Sequence, residues 1–142
     1  MEDIPDLEAI AAVSHTDSRF FADPRFSAKA PELYRTWIAK SVRGDADLAL
    51  VAEVSGRAVG YFTGHRASEG TGRIGLVGLS SKAQGQGLGR ALVQGALGWF
   101  SENRLHRVEV VTQARNLAAR HLYQRSGFVT ANVQLWFHKW FV

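Results

Sequence analysis

Ile74-Gly75-Leu76-Val77-Gly78-Leu79-Ser80-Ser81-Lys82-Ala83-Gln84-Gly85-Gln86-Gly87-Leu88-Gly89-Arg90-Ala91-Leu92-Val93 is a short apolar strand that runs through a polar loop into a cluster of glycines and opens a helix. Leu88, Ala91, Leu92, Ala96, Trp99 and Phe100 recur at three- and four-residue spacing, which predicts one apolar helix face. N–H groups in the first helical turn lack intrahelical partners, and the helix dipole is positive there. Glycine also lets an anion approach the backbone closely, so Gln84–Arg90 is a candidate phosphate site.

The spacing decides which phosphate. Gly85, Gly87 and Gly89 give G-x-G-x-G with Arg90 after them, which does not fit the dinucleotide fingerprint. No Gly-Lys-Ser/Thr follows, which excludes a nucleotide-hydrolysing P-loop. Q-x-x-G-x-G does fit, at Gln84, Gly87 and Gly89, and it resembles the pyrophosphate-binding motif of the GCN5-related N-acetyltransferases, which hold acetyl-coenzyme A. A second stretch resembles the other signature of that family, N-x-x-A-x-x-L-Y-x-x-x-G-F: Asn116-Leu117-Ala118-Ala119-Arg120-His121-Leu122-Tyr123-Gln124-Arg125-Ser126-Gly127-Phe128.

Working outward, the predicted elements are a helix from Asp3 with Ile4, Leu7, Ile10 and Ala11 as its stripe, a loop over 17–26, and a helix over 31–42 lined by Leu33, Tyr34, Trp37, Ile38 and Val42. Strands follow at 48–54, 58–65 and 73–79, then the helix after the glycines, a strand over 107–113, a helix over 116–125, and one bent or two short strands over 128–142. The fold class is α/β, with a central, mixed and mostly antiparallel sheet flanked by helices. The resemblance implies the GNAT fold over one domain, residues 1–142, with the first strand of that fold missing or truncated. A second copy of the chain covering the exposed sheet edge is the partner this implies.

Composition narrows the classes. The 142 residues contain no cysteine, which excludes disulfides, a thiol nucleophile and a Cys-based metal site. No apolar run approaches a membrane span and the acidic start is unlike a signal peptide, so a cytoplasmic protein is expected. Residues 1–69 hold eight basic and eleven acidic side chains, whereas residues 70–142 hold nine and two. The basic half suits a polyphosphate ligand. Its arginines are scattered without a compact run, which argues against nucleic acid.

The resemblance implies site roles by residue. Leu76, Val77, Gly78 and Leu79 pair with the pantetheine as an added strand. The amides of Gln84, Gly85, Gln86, Gly87, Leu88, Gly89 and Arg90 hold the pyrophosphate, Asn116 meets the coenzyme arm, and Tyr123 stands by the sulfur. Direct acetyl transfer needs no metal and no covalent enzyme intermediate. An N–H near Val77 or Gly78 would steady the oxyanion, and Tyr123 would protonate the leaving thiolate. Many family members carry a glutamate near this strand, but Arg73–Leu79 holds no carboxylate. The candidate bases are His65, Glu69, Asp17 or a water chain.

Asp17-Ser18-Arg19-Phe20, Val111–Asn116 and Val133–Trp140, with Trp37-Ile38 and Arg43-Gly44, are similar to dTDP-4-amino-4,6-dideoxygalactose (dTDP-fucosamine) acetyltransferases. The implied acceptor is a dianionic nucleotide sugar with an amine, contacted by Arg19, Phe20, Trp136 and His138. Another small amine, a protein amine, or a sensor that binds acyl-coenzyme A without turnover are the alternatives.

Overall fold

The computed structural model describes residues 2–142, and Met1 of the acidic start lies outside them. The elements are α1 (Ile4–Ser14), a single turn α2 (Arg19–Ala22), α3 (Ala30–Lys40) continued by a π-helical turn (Ser41–Asp45), β1 (Leu48–Val54), β2 (Arg57–Ser68), β3 (Thr71–Leu79), α4 (Leu88–Glu102), β4 (Arg107–Glu109) and α5 (Leu117–Arg125). The sheet runs β1-β2-β3-β4. The first two pairings are antiparallel, and β4 lies parallel to β3. Among the described residues no strand pairs with the outer side of β1.

Strand alternation sends side chains to two covered faces. Tyr61 and Leu76 pack with Leu7, Ile10, Tyr34 and Ile38, so this face carries α1 and α3. Phe62 and Ile74 pack with Leu92, Val93, Ala96, Phe100 and Tyr123, so the opposite face carries α4 and α5. The predicted α1 stripe is buried in full. Asp3, which precedes α1, makes no side-chain cap bond, because its own backbone is already helical.

Four expectations need correction. The buried face of α4 is Leu92, Val93, Ala96 and Phe100, and Ala91 is exposed. In α3, Tyr34 and Ile38 are buried, but Leu33 (40% exposed) and Trp37 (41%) are not. The loop over 17–26 contains the helical turn α2, capped by the Phe21 N–H donating to Ser18 Oγ (3.4 Å). Residues 128–142 form no strand. β-propensity expresses packing against a neighbouring strand. The tail has none and is held instead by side-chain contacts to the segment around α2, leaving Val133, Leu135 and Phe137 exposed.

Candidate active site

The strand before the glycines is shaped by a bulge. Phe62 opposes Val77 and Gly64 opposes Ile74, so Thr63 alone faces both Gly75 and Leu76. The Leu76 N–H donates to Thr63 Oγ1 at 2.8 Å, and this buried bond replaces the ladder bond lost at the bulge. Gly75 and Gly78 are required by close approach. A Cβ on Gly75 would lie 2.6 Å from Thr63 Oγ1 and 2.9 Å from His65 Nε2, and a Cβ on Gly78 would lie 2.6 Å from the Tyr61 hydroxyl.

β3 and β4 share a ladder only from Thr71–Arg107 to Arg73–Glu109. The strand expected over 107–113 therefore stops after three residues, because β3 turns away at the bulge and the partner edge is lost. Beyond this point the strands part as a fork. The Ser80 N–H donates to the Val59 carbonyl (2.8 Å), and Gly60 opposes Leu79. Antiparallel amides alternate in direction, so those of Val77 and Leu79 point away from β2, into the fork, while that of Gly78 points to β2. Of the two amides expected at the oxyanion, only Val77's faces the opening.

At the mouth of the fork lies the glycine loop. Gly85 and Gly87 both have φ of +77°, a left-handed conformation that ordinary side chains rarely adopt. Gly87 is the N-cap of α4, and its carbonyl accepts from the Ala91 N–H (3.1 Å). Gly89 is buried, and a Cβ there would meet Leu79 and Leu122, so α4 starts close against β3 and α5. Gln84, Gly85, Gln86 and Arg90 are exposed. Gln86 folds back, its Nε2 donating to the Lys82 carbonyl (3.2 Å).

Tyr123 stands on the α4 face in the cluster with Ile74, against which Val77 and Val110 also pack. Burial pushes its phenol up to about 12, so it keeps its proton at neutral pH. Asn116 caps α5, its Oδ1 accepting from the Ala119 N–H (3.1 Å). The cap uses the oxygen and leaves the amide Nδ2 as the group able to meet a ligand.

His65 stands on the other face, against Gly75 where the fork begins. It floors a cleft of about 230 Å³ lined by Leu33, Thr36, Trp37, Lys40, Ser41 and Asp45. Glu69 is exposed in the turn between β2 and β3. Asp17 pairs with Arg115 (3.8 Å), whose guanidinium also donates to the carbonyls of Asp17 and Ser18. That contact ties the segment after α1 to the segment after β4.

Arg19, Phe20, Trp136 and His138 gather outside this cleft. The Arg19 guanidinium lies 4.4 Å from the Trp136 ring and 5.0 Å from Phe20. Asp23 anchors the tail: His138 Nδ1 is 2.5 Å from Oδ2, and Trp140 Nε1 donates to the same oxygen (3.2 Å). Among the described residues neither Arg19 nor Arg25 forms an ion pair with Asp17 or Asp23, and the Arg25 guanidinium lies over the Trp140 ring at 5.0 Å. The His138 hydrogen bond, with the Arg25 N–H and Trp140, holds the Asp23 carboxyl below the usual range. A depressed folded value stabilises above the ordinary aspartate pKa of about 3.9 and is lost as pH falls through the lower folded value. Tryptophan fluorescence is therefore expected to report tail release below about pH 4. Release already at pH 6 would contradict this anchor.

Sequence reading passed over Thr63, which locks the bulge, and His15, whose Nε2 is 2.6 Å from the Tyr61 hydroxyl beneath Gly78. Burial pushes His15 down to about 4, so it is neutral at pH 7. The available signal was the pair of glycines inside a strand pattern, which marks a bulge or a close approach.

A family model described as the acetyltransferase (GNAT) family matches residues 10–128. The spore coat polysaccharide biosynthesis protein SpsD of Bacillus subtilis is 27% identical over 95% of this chain and 48% of its own length. A mycothiol acetyltransferase of Arthrobacter is 35% identical over 58% of this chain and 27% of its own. The chain thus spans about half the length of the first relative and about a quarter of the second. The PaiA N-acetyltransferase of Thermoplasma acidophilum, solved with coenzyme A, superposes with a TM-score of 0.74 at 15% identity, over 94% of this chain and 87% of that one. The ribosomal-protein-S18-alanine N-acetyltransferase of Escherichia coli gives 0.71 at 19%, over 93% and 75%. These two likenesses concern the fold. Among the described residues no group of three His, Asp or Glu side chains could hold a metal ion, and no helix is long and apolar enough to cross a membrane.

Proposed function

The chain belongs to the acetyltransferase (GNAT) family, and from that premise we propose that it moves the acetyl group of acetyl-coenzyme A to a primary amine by direct attack. The observation that carries this reading is the unpaired edge of β3, with the Val77 and Leu79 amides turned into a fork that ends at a glycine-rich helix start. The pantetheine adds to that edge, and the pyrophosphate meets the N–H groups of Gln84–Arg90. Asn116 Nδ2 reaches the coenzyme arm.

The amine nitrogen attacks the thioester carbonyl carbon, and the Val77 N–H donates to the oxyanion that forms. His65 takes the proton the amine sheds. The carbon–sulfur bond then breaks, and its electron pair leaves on sulfur. Tyr123 donates its O–H to the thiolate. A free thiol titrates near 8.5, so full transfer from a phenol at about 12 is uphill. The apolar surroundings that raise the phenol also raise a thiol beside it, which narrows the gap.

A nucleotide-linked 4-amino sugar is the leading acceptor. Supporting it are the similarity to a polysaccharide biosynthesis protein over nearly the whole chain and the gathering of Arg19, Phe20, Trp136 and His138. The shorter match to a mycothiol acetyltransferase favours a different small amine as the second reading. The test is thiol release from acetyl-coenzyme A across amines that include dTDP-4-amino-4,6-dideoxyhexoses. Turnover confined to the nucleotide sugar supports the first reading, and turnover on other amines alone overturns it.

The loop carries its own prediction. Gly87→Val puts a β-branched residue at φ +77°, where it costs about 1–2 kcal/mol or distorts the helix start. Coenzyme A affinity measured by calorimetry should fall about tenfold. Unchanged affinity would remove the loop from the site.

A further inference from the structure

The side chains that cross the sheet at the base of the fork form one row. His65 opposes Arg73, and Arg73 opposes Glu109. A Cβ on Gly72 would meet Phe100, and Ile74 and Val108 pack in the α4 cluster, so Arg73 and Glu109 take the other face, the one that carries His65 and the cleft. Arg73–Glu109 is also the last paired position before the strands part.

Glu109 is one of only two carboxylates in residues 70–142. It is half-exposed, and Arg107 Nη2 holds its Oε1 at 3.0 Å, leaving the second oxygen free to accept a hydrogen bond. β3 itself supplies no carboxylate.

We propose that Glu109 is the acceptor-side carboxylate of this enzyme, reaching the fork from β4 and receiving an N–H of the incoming amine. This rests on the transferase reading above. Glu109 is the one carboxylate between Arg107, its ion-pair partner, and Arg73, its cross-strand neighbour, so this end of the sheet stays net positive and disfavours an ammonium. Such a floor suits a primary amine of low basicity, attacking in its neutral form, and it orients the nitrogen while His65 takes the proton. Removing the carboxylate leaves Arg107 without its ion-pair partner and takes away the acceptor for the amine N–H.

The test is steady-state kinetics of Glu109→Gln with the best amine found for the wild type. The KM for the amine should rise at least about tenfold, as expected for loss of a charge-assisted hydrogen bond. The dissociation constant for coenzyme A should stay within about twofold. Arg107→Gln, which frees the carboxylate without removing it, should give a smaller rise. An unchanged amine KM in Glu109→Gln, with an active wild type, overturns the proposal alone. A wild type that binds coenzyme A and acetylates no amine overturns the reading beneath it and the proposal with it.

Discussion

Tyr123→Phe is expected to lower turnover by about 10²–10⁴-fold, the usual worth of a positioned proton donor, and to leave coenzyme A affinity within about twofold. The phenol lies in a cluster that is otherwise aliphatic and aromatic, with Phe128 5.7 Å away and no hydrogen bond to its hydroxyl among the described residues. Phenylalanine keeps that packing, so the fold should survive and the loss should appear in kcat rather than in binding. Parallel stopped-turnover kinetics and calorimetry separate the two. Equal turnover in both proteins would make Tyr123 a packing residue, whereas no turnover in either, with coenzyme A still bound, would favour a coenzyme-binding sensor over an enzyme.

Thr63→Val is the second large effect, and it comes from a residue that need not touch any ligand. Valine has the shape of threonine but no hydroxyl. The buried Leu76 N–H then loses its acceptor, which costs about 1–3 kcal/mol, readable in urea denaturation. The bulge can recover a ladder bond only by slipping β3 against β2. A slip of one residue would exchange the directions of the Val77 and Gly78 amides. Activity should therefore fall further than stability, by at least about tenfold in kcat/KM under conditions where the variant is fully folded. Full activity in a folded variant would mean that the bulge does not set the oxyanion donor.

Much of this fold could be read from local pattern. α1, β1, β2, β3, α4 and α5 lie within a few residues of their expected limits, because each combines a clear period with Gly, Pro or Asn at its ends. The glycine loop was legible because Gly85 and Gly87 take backbone angles that other residues avoid. What was not legible depends on neighbours. The length of β4 is set by where β3 turns away, and that turn is set by a hydrogen bond between Thr63 and Leu76, thirteen positions apart. The alternation of Val133, Leu135 and Phe137 predicts a strand, but no partner edge meets it, and Asp23 holds the segment through His138 and Trp140 instead. Leu33 and Trp37 fit the helical stripe of α3, yet they wall the cleft above His65. Glu109 sits inside an apolar strand pattern and gains meaning only from its register with Arg73 and His65.

The claim beneath all of this is that the open edge of β3 receives acetyl-coenzyme A. A crystal structure of the chain with coenzyme A tests it most directly. Pantetheine is expected hydrogen-bonded to the Val77 and Leu79 backbone, with the pyrophosphate on the amides of Gln84–Arg90 and the sulfur beside Tyr123, His65 lying across the fork. Coenzyme A bound elsewhere, or a fork closed by further pairing of β3 with residues 110–113, would contradict it.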